Sequence, residues 1–176
     1  AGLHSGLANN VYGDIPRGGA NKAIARKRCH NVVLRDFPIL MGGHFAILAT
    51  GVDNLTIDNL LIDTKRDGID IDACQNVRVS NTSVNSPLDD GICLKSSYAL
   101  GEARPTENVT ITNCFVSGYL RGSLLDGTYK REQSKDFREP PPGPITFGTE
   151  SNGGFRNIPI TNGCFSYTRG QAPATS

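Results

Sequence analysis

Three aspartates stand at matching points of two successive repeats in this sequence. Asp67 opens the segment Asp-Gly-Ile-Asp, and Asp89 and Asp90 open the segment Asp-Asp-Gly-Ile-Cys-Leu-Lys. Carboxylates held close together cannot all ionise freely, so at least one of the three is expected to keep its proton near neutral pH. A proton donor beside an ionised carboxylate is the basic requirement for hydrolysing a glycosidic bond. The pattern therefore predicts acid–base chemistry at these residues.

Two other interpretations of these carboxylates remain open. Asp-Gly and Asp-Asp-Gly are common turn sequences, and repeat proteins place aspartates at corners for structural hydrogen bonds. Clustered carboxylates also suit calcium, although the chain has no Asp-x-Asp-x-Asp-Gly loop. The five cysteines include no Cys-x-x-Cys pair, and only three histidines accompany them, so a zinc site is not expected. Because the cysteine count is odd, at least one thiol must be free.

A phrase of six residues recurs along the chain and predicts the elements that position the aspartates. It reads Asn, apolar, any residue, apolar, polar, then Asn or Asp, and successive copies begin 23, 22, 32 and 49 residues apart. Alternation with a period of two predicts a short strand in each copy. Such strands can bury their apolar faces together if successive repeats stack in parallel, about 4.8 Å apart. The copies begin at Asn31, Asn54, Asn76, Asn108 and Asn157.

Stacking would bring equal positions of the phrase above one another. The last residue of each copy should then join a ladder of turn side chains, formed by Asp36, Asn59, Asn81, Asn113 and Asn162. The chain lacks the consensus of leucine-rich repeats and the Trp-Asp signature of propellers. We therefore predict an all-β chain, a parallel β-helix with about five recognisable coils.

The composition predicts one domain over residues 1–176. Residues 1–30 read as an irregular leading segment or partial cap, and coils fill 31–176, with loops at 97–107 and 128–144 that project from the stack. The formal net charge of +1 gives no global field toward nucleic acid or an anionic membrane. No apolar run reaches the roughly 20 residues of a membrane span, and residues 1–10 do not resemble a signal peptide. We expect a monomer.

Thirteen residues after each of the first four phrase starts, a polar residue precedes a predicted apolar strand. The strands are predicted at 45–48, 69–71, 92–94 and 123–125. In a stacked arrangement these polar residues form a column along one ridge, with Asp90 beside Asp89. The members of the column are His44, Asp67, Asp89 and Arg121.

Residues 30–165 resemble the polygalacturonase family of pectin-cleaving glycoside hydrolases. The resemblance is carried by the Asp67-Gly-Ile-Asp segment, by Asp89-Asp90-Gly-Ile-Cys-Leu-Lys-Ser and by the phrases that begin at Asn76 and Asn108. It implies a right-handed parallel β-helix of the pectin-lyase type that inverts the anomeric centre. It assigns Asp89 as the general acid, and Asp67 and Asp90 as the pair that activates water.

Two family motifs are altered in this chain. Arg121 stands where the family has the histidine of Gly-His-Gly, and Pro144 and Thr146 stand where it has the cations of Arg-Ile-Lys. Loss of those cations should weaken recognition of a uronate, and Arg121 or Lys95 could substitute. The segment 148–154, which contains a glutamate, resembles a bacterial branch of the family. The expected substrate-binding residues are His44, which we interpret as a polar ridge residue, together with Lys95, Arg121 and Glu150.

The resemblance implies hydrolysis of an α-linked, galacturonate-containing polysaccharide such as pectin, polygalacturonate or rhamnogalacturonan. It implies no metal or organic cofactor and a secreted or periplasmic location. The family has more coils at both ends, so the chain is expected to be a fragment or a short member. Two alternatives stay open, a polysaccharide lyase on the same fold that uses calcium and a basic residue, and a non-catalytic carbohydrate-binding or structural β-helix.

Overall fold

The computed structural model describes residues 3–4, 22–131 and 143–168. In these residues the chain is all-β apart from one 3-10 turn at Tyr98–Leu100. Much of the predicted leading segment 1–30 and most of the predicted loop 128–144 lie outside the described residues. The strands in chain order are β1 (Leu3–His4), β2 (Lys22–Lys27), β3 (His30–Arg35), β4 (Pro38–Leu40), β5 (Phe45–Thr50), β6 (Asp53–Asp58), β7 (Leu61–Asp63), β8 (Asp67–Asp72), β9 (Gln75–Ser80), β10 (Ser83–Asn85), β11 (Ile92–Lys95), β12 (Thr106–Thr112), β13 (Phe115–Ser117), β14 (Ile145–Phe147), β15 (Phe155–Arg156), β16 (Ile160–Thr161) and β17 (Cys164–Ser166).

The strands pair in parallel within three sheets. The first sheet has the order β1-β4-β7-β10-β13-β17, and the second has the order β14-β11-β8-β5-β2. The third has the order β15-β12-β9-β6-β3, with β16 also paired to β12. Each sheet therefore takes its strands from successive repeats, and among the described residues no hairpin joins neighbours in a sheet.

The register of the third sheet follows the repeated phrase. Val32 lies opposite Leu55, Leu55 opposite Val77, and Val77 opposite Val109. These are the second residues of the first four phrases, so the predicted stacking of the repeat is confirmed. The fifth phrase joins the same sheet through β16.

Alternation along each strand decides which side chains enter the core. In β9, Val77 and Val79 are buried, whereas Asn76 and Arg78 are exposed. Burial of an aliphatic side chain of this size contributes roughly 1.5–3 kcal/mol. Because equal positions stack from repeat to repeat, these contributions accumulate in one continuous core.

Two ladders of asparagine side chains run along the stack. The ladder predicted at the phrase ends is present, with one difference: Asn81 Nδ2 donates to Asp58 Oδ1 at 2.9 Å and not to Asn59. A second ladder joins the phrase starts through hydrogen bonds of 3.0 to 3.4 Å. The residues of both ladders have φ between 49° and 64°, a conformation that asparagine tolerates better than most residues.

All five cysteines are free. Cys74, Cys93 and Cys114 are buried, as expected of small core residues, and Cys164 is exposed. Burial raises the pKa of the Cys74 thiol to about 12. These three buried thiols therefore stay neutral at physiological pH.

Three predicted segments differ in the structure. Part of the predicted irregular segment is regular, because Leu3–His4 forms β1, paired with β4, and Lys22–Lys27 forms β2, an edge strand paired with β5. The predicted loop 97–107 ends where β12 begins at Thr106, and it folds back onto the repeats: Arg28 donates to Leu100 O at 2.7 Å, and Arg104 pairs with Asp53 at 2.6 Å. The prediction of a strand at 123–125 is wrong, since residues 121–127 form consecutive turns.

Candidate active site

The candidate site lies where the strands of the second sheet begin. Asp67 is the first residue of β8 and lies opposite Phe45, the first residue of β5. Gly68 N donates to Asp90 O at 3.0 Å, which brings Asp67 level with Asp90. Asp89 is therefore level with Arg66, one residue away from the predicted alignment with Asp67.

The glycine that follows the aspartate in each repeat is required by close packing. A Cβ on Gly68 would stand 2.3 Å from Val84 Cγ1 and 2.4 Å from Gly91 O. A Cβ on Gly91 would stand 2.2 Å from Val116 Cγ1. These distances are too short for any side chain. The glycine of each Asp-Gly pair is therefore required for close packing, whatever the role of the aspartate in the cleft.

Six of the seven predicted site residues line one open cleft of about 470 Å³. The cleft also takes in Arg66, Cys93 and the segment 146–149. The structure therefore brings together residues that are up to 106 positions apart in the sequence. The six predicted residues are His44, Asp67, Asp89, Asp90, Lys95 and Glu150.

Lys95 stands among three carboxylates. Its Nζ lies 2.8 Å from Asp70 Oδ2, 3.9 Å from Asp67 Oδ2 and 3.8 Å from Glu150 Oε2. Burial acts to lower the pKa of Lys95, but its hydrogen bond to Asp70 and the nearby negative charges raise it overall. Lys95 is therefore a permanent cation in the cleft.

Asp70 is a site residue that the sequence analysis missed. It has no exposed surface and lies between the inward-facing Ile69 and Ile71. Burial raises the pKa of Asp70 to about 6, against the opposing effect of Lys95. Its role depends on Lys95 in the next repeat, so the sequence of its own strand gave no signal for it.

Asp67 has the properties of a proton carrier. Its side chain is 8% exposed, and burial, with the charges of Asp70 and Asp89, raises its pKa to about 9. Asp67 Oδ1 is buried and has no hydrogen-bond partner among the described residues. Burial also raises the pKa of Asp90, and the charge of Asp89 adds to the effect. Burial therefore favours the protonated form of Asp67 at neutral pH.

Asp89 is paired with Arg66, a second residue that the sequence analysis missed. Arg66 NH2 and Nε lie 2.5 and 3.1 Å from Asp89 Oδ2. Asp90 N also donates to Asp89 Oδ1, at 3.1 Å. A single arginine before Asp-Gly matches no known sequence motif. The only hint of a role for Arg66 in the sequence is its position close to the predicted aspartates.

His44 and Phe45 form one wall of the cleft. Burial and the positive charge of Arg66 lower the pKa of His44, so the imidazole is neutral at pH 7. Lys22 Nζ and Lys95 Nζ lie 5.4 and 5.3 Å from the centre of the Phe45 ring, within the range of cation–π contact. His44 is thus a polar wall residue.

Arg121 does not line the cleft, which corrects the predicted column. The strand that follows β11 in the second sheet is β14, where Ile145 lies opposite Ile92. Arg121 instead begins the turns 121–127, whose backbone N–H groups at Gly122 and Leu124 donate to Asp63. The chain has an insertion before β14, and the strand predicted at 123–125 does not form. Counting thirteen residues from the start of the phrase therefore does not locate the cleft residue in this repeat.

The described residues include no group of three or more His, Cys, Asp or Glu side chains arranged to hold a metal ion. Within the same ranges, no helix is long and apolar enough to span a membrane. Comparison of the chain with protein-family models, curated proteins and solved structures gives no match.

Proposed function

We propose that this chain is a right-handed parallel β-helix that hydrolyses an α-linked, galacturonate-containing polysaccharide. Three parallel sheets, each with one strand per repeat, support the β-helix. The resemblance of residues 30–165 to the polygalacturonase family supports the activity. A polymer of this kind is met outside the cytoplasm, so we place the protein in the secreted or periplasmic class, acting as a monomer without a cofactor.

One observation carries the proposal. Asp67, which holds a proton near neutral pH, lies in the same cleft as Asp89, Asp90 and the cation Lys95. Hydrolysis of a glycoside requires a carboxyl that can donate a proton and a carboxylate that can accept one. A purely structural set of corner aspartates would not require a carboxyl that is buried close to two other carboxylates, as Asp67 is close to Asp70 and Asp89.

The reaction assigned to the cleft is inverting hydrolysis. Once protonated, Asp89 gives its proton to the leaving glycosidic oxygen while the bond from that oxygen to C1 breaks. A water held by Asp67 and Asp90 forms the new bond to C1 on the opposite face and loses its proton to the member of this pair that is ionised at that step. Lys95 and Arg66 offer the positive charge that a uronate needs, in place of the absent Arg-Ile-Lys motif.

The test is product analysis with polygalacturonate and with rhamnogalacturonan. The wild-type chain should release new reducing ends without ultraviolet-absorbing unsaturation, and Asp89→Asn should release none. Asp36→Asn is the matched control, because Asp36 is an exposed ladder residue and the other repeats carry asparagine at its position. This variant should keep the full rate.

Other outcomes would overturn the proposal. Unsaturated products that disappear with a chelator would assign a calcium-dependent lyase. Binding of either polysaccharide by a folded chain that forms no product would leave a non-catalytic carbohydrate-binding β-helix.

A further inference from the structure

We propose, on the basis of the hydrolase function above, that Arg66 recognises the carboxylate of the substrate and thereby controls which aspartate carries the catalytic proton. In this scheme Arg66 binds the substrate and also controls Asp89. It holds Asp89 ionised in the resting protein and releases it when a uronate binds.

The resting ion pair is well defined. Two nitrogens of the Arg66 guanidinium converge on Asp89 Oδ2, at 2.5 and 3.1 Å. A guanidinium binds the carboxylate form of an aspartate, and that form has no proton to donate. The residue assigned as the acid is therefore in the wrong state for catalysis until this contact changes.

Asp67 holds the proton that Asp89 lacks. Its side chain is 8% exposed and lies in the same cleft as Asp89, close enough for the charge of Asp89 to raise its pKa. With Asp89 ionised, the shared proton belongs to Asp67. The two aspartates that need opposite protonation states during the reaction are thus already connected.

Arg66 is the cleft cation that can exchange its partner at low cost. Its side chain and that of Asp89 are 27% and 29% exposed, so the pair opens to the cleft and to water. Lys95 is bonded to Asp70, which has no exposed surface and would be left as an uncompensated buried charge. A guanidinium also matches the two oxygens of a uronate carboxylate.

The proton balance closes over one turnover. When the uronate carboxylate binds Arg66, the proton passes from Asp67 to the neighbouring Asp89. Asp89 then protonates the leaving oxygen as its bond to C1 breaks, and the attacking water forms its bond to C1 and gives its proton to Asp67. Asp67 is again protonated and Asp89 ionised, so the return of Arg66 restores the resting state. The other charged or titratable groups around the pair are His44, Asp70, Asp90, Cys93, Lys95 and Glu150.

The test compares Arg66→Gln with wild type on two substrates, trigalacturonate and its methyl ester. In the ester, uncharged methyl ester groups replace the carboxylates. On the free acid, kcat/KM of the variant should fall roughly 10- to 100-fold, since a charge-assisted contact is lost. On the ester, kcat of the variant should rise above wild type, because the ester cannot remove Arg66 from Asp89. The alkaline limb of the pH–rate profile should move to higher pH when this cation is removed. Arg35→Gln, at an exposed ion pair that does not line the cleft, is the control.

Effects of opposite sign on the two substrates would support the switch, and a general folding defect would not produce them. A variant that hydrolyses the free acid and the ester in the wild-type ratio would overturn the role of Arg66 and leave the hydrolase proposal intact. Failure of the folded wild type to hydrolyse either substrate would remove the hydrolase function and this inference together.

Discussion

Lys95 Nζ lies 2.8 Å from Oδ2 of Asp70, whose carboxylate has no exposed surface. The pair sits under the cleft, and Lys95 reaches from it toward Asp67 and Glu150. The same lysine thus neutralises a buried charge and supplies the cleft with positive potential.

Replacement of Lys95 by Met should destabilise the protein in a pH-dependent way. Removal of one partner from a buried ion pair leaves Asp70 uncompensated, so we expect a loss of roughly 3 kcal/mol at pH 7. The loss should shrink toward pH 4, where the unfolded carboxyl also takes up a proton. Urea unfolding at several pH values measures both effects. An equal loss at every pH would contradict this explanation, and Asp70→Asn combined with Lys95→Met should recover part of the stability.

Replacement of Asp67 by Asn should stabilise the protein near neutral pH while it abolishes activity. An unfolded aspartate loses its proton near pH 4, whereas the pKa of Asp67 in the fold is about 9. Because the folded state binds the extra proton in this window, wild-type stability falls as pH rises from about 4 to about 9. The asparagine lacks this cost, so we expect a gain of roughly 2 kcal/mol at pH 7 that vanishes below pH 4. A variant less stable than wild type at pH 7 would show that Asp67 is ionised in the fold.

Replacement of Asn76 by Ala should remove two ladder hydrogen bonds and add backbone strain. Asn76 has φ 57° and bonds to Asn54 and Asn108. We expect a loss of roughly 2 kcal/mol, from about 1 kcal/mol of left-handed strain and a similar contribution of the side chain. Asn76→Gly separates the two, since glycine adopts positive φ without strain. Chemical denaturation should rank wild type above glycine and glycine above alanine, and an alanine variant as stable as wild type would refute the role of the ladder.

Replacement of Asp63 by Asn should loosen the turns at 121–127. Asp63 is buried and accepts from the backbone N–H groups of Gly122, Leu124 and Leu125 at 2.9 to 3.1 Å. An asparagine has one acceptor oxygen and loses the charge that strengthens these bonds. Amide hydrogen exchange at 122–125 should accelerate, whereas exchange in β8 and β9 should keep its wild-type rate. Uniform acceleration over the chain would mean that Asp63 supports the whole fold and not this segment.

Much of the fold was predictable because one sequence signal repeats. The alternation in each phrase and the asparagines at its ends fix strand, turn and register together, as the opposition of Leu55 and Val77 illustrates. Residues with weak alternation escaped prediction: β2 buries little apolar surface because it is an edge strand. The insertion before β14 could not be placed either, because its length says nothing about where the chain rejoins the sheet.

The candidate site was predictable where it follows the strand register and not elsewhere. Asp67, Asp89 and Lys95 come together because neighbouring strands start at nearly the same level. Arg66 and Asp70 were missed because their importance comes from partners in other repeats. Arg121 was wrongly included because its position was counted from the repeat, whereas the chain departs from the repeat at that point.

The segment that folds back between β11 and β12 gives the stack a mechanical property. Arg28 follows β2 and holds Leu100 O, while Arg104 in the same segment holds Asp53 at the start of β6. A stack in which each turn touches only its neighbours would peel apart one turn at a time under tension. Here the segment ties early turns to a later one, so force applied at the two ends must break these side-chain ties before the intervening strands can separate singly.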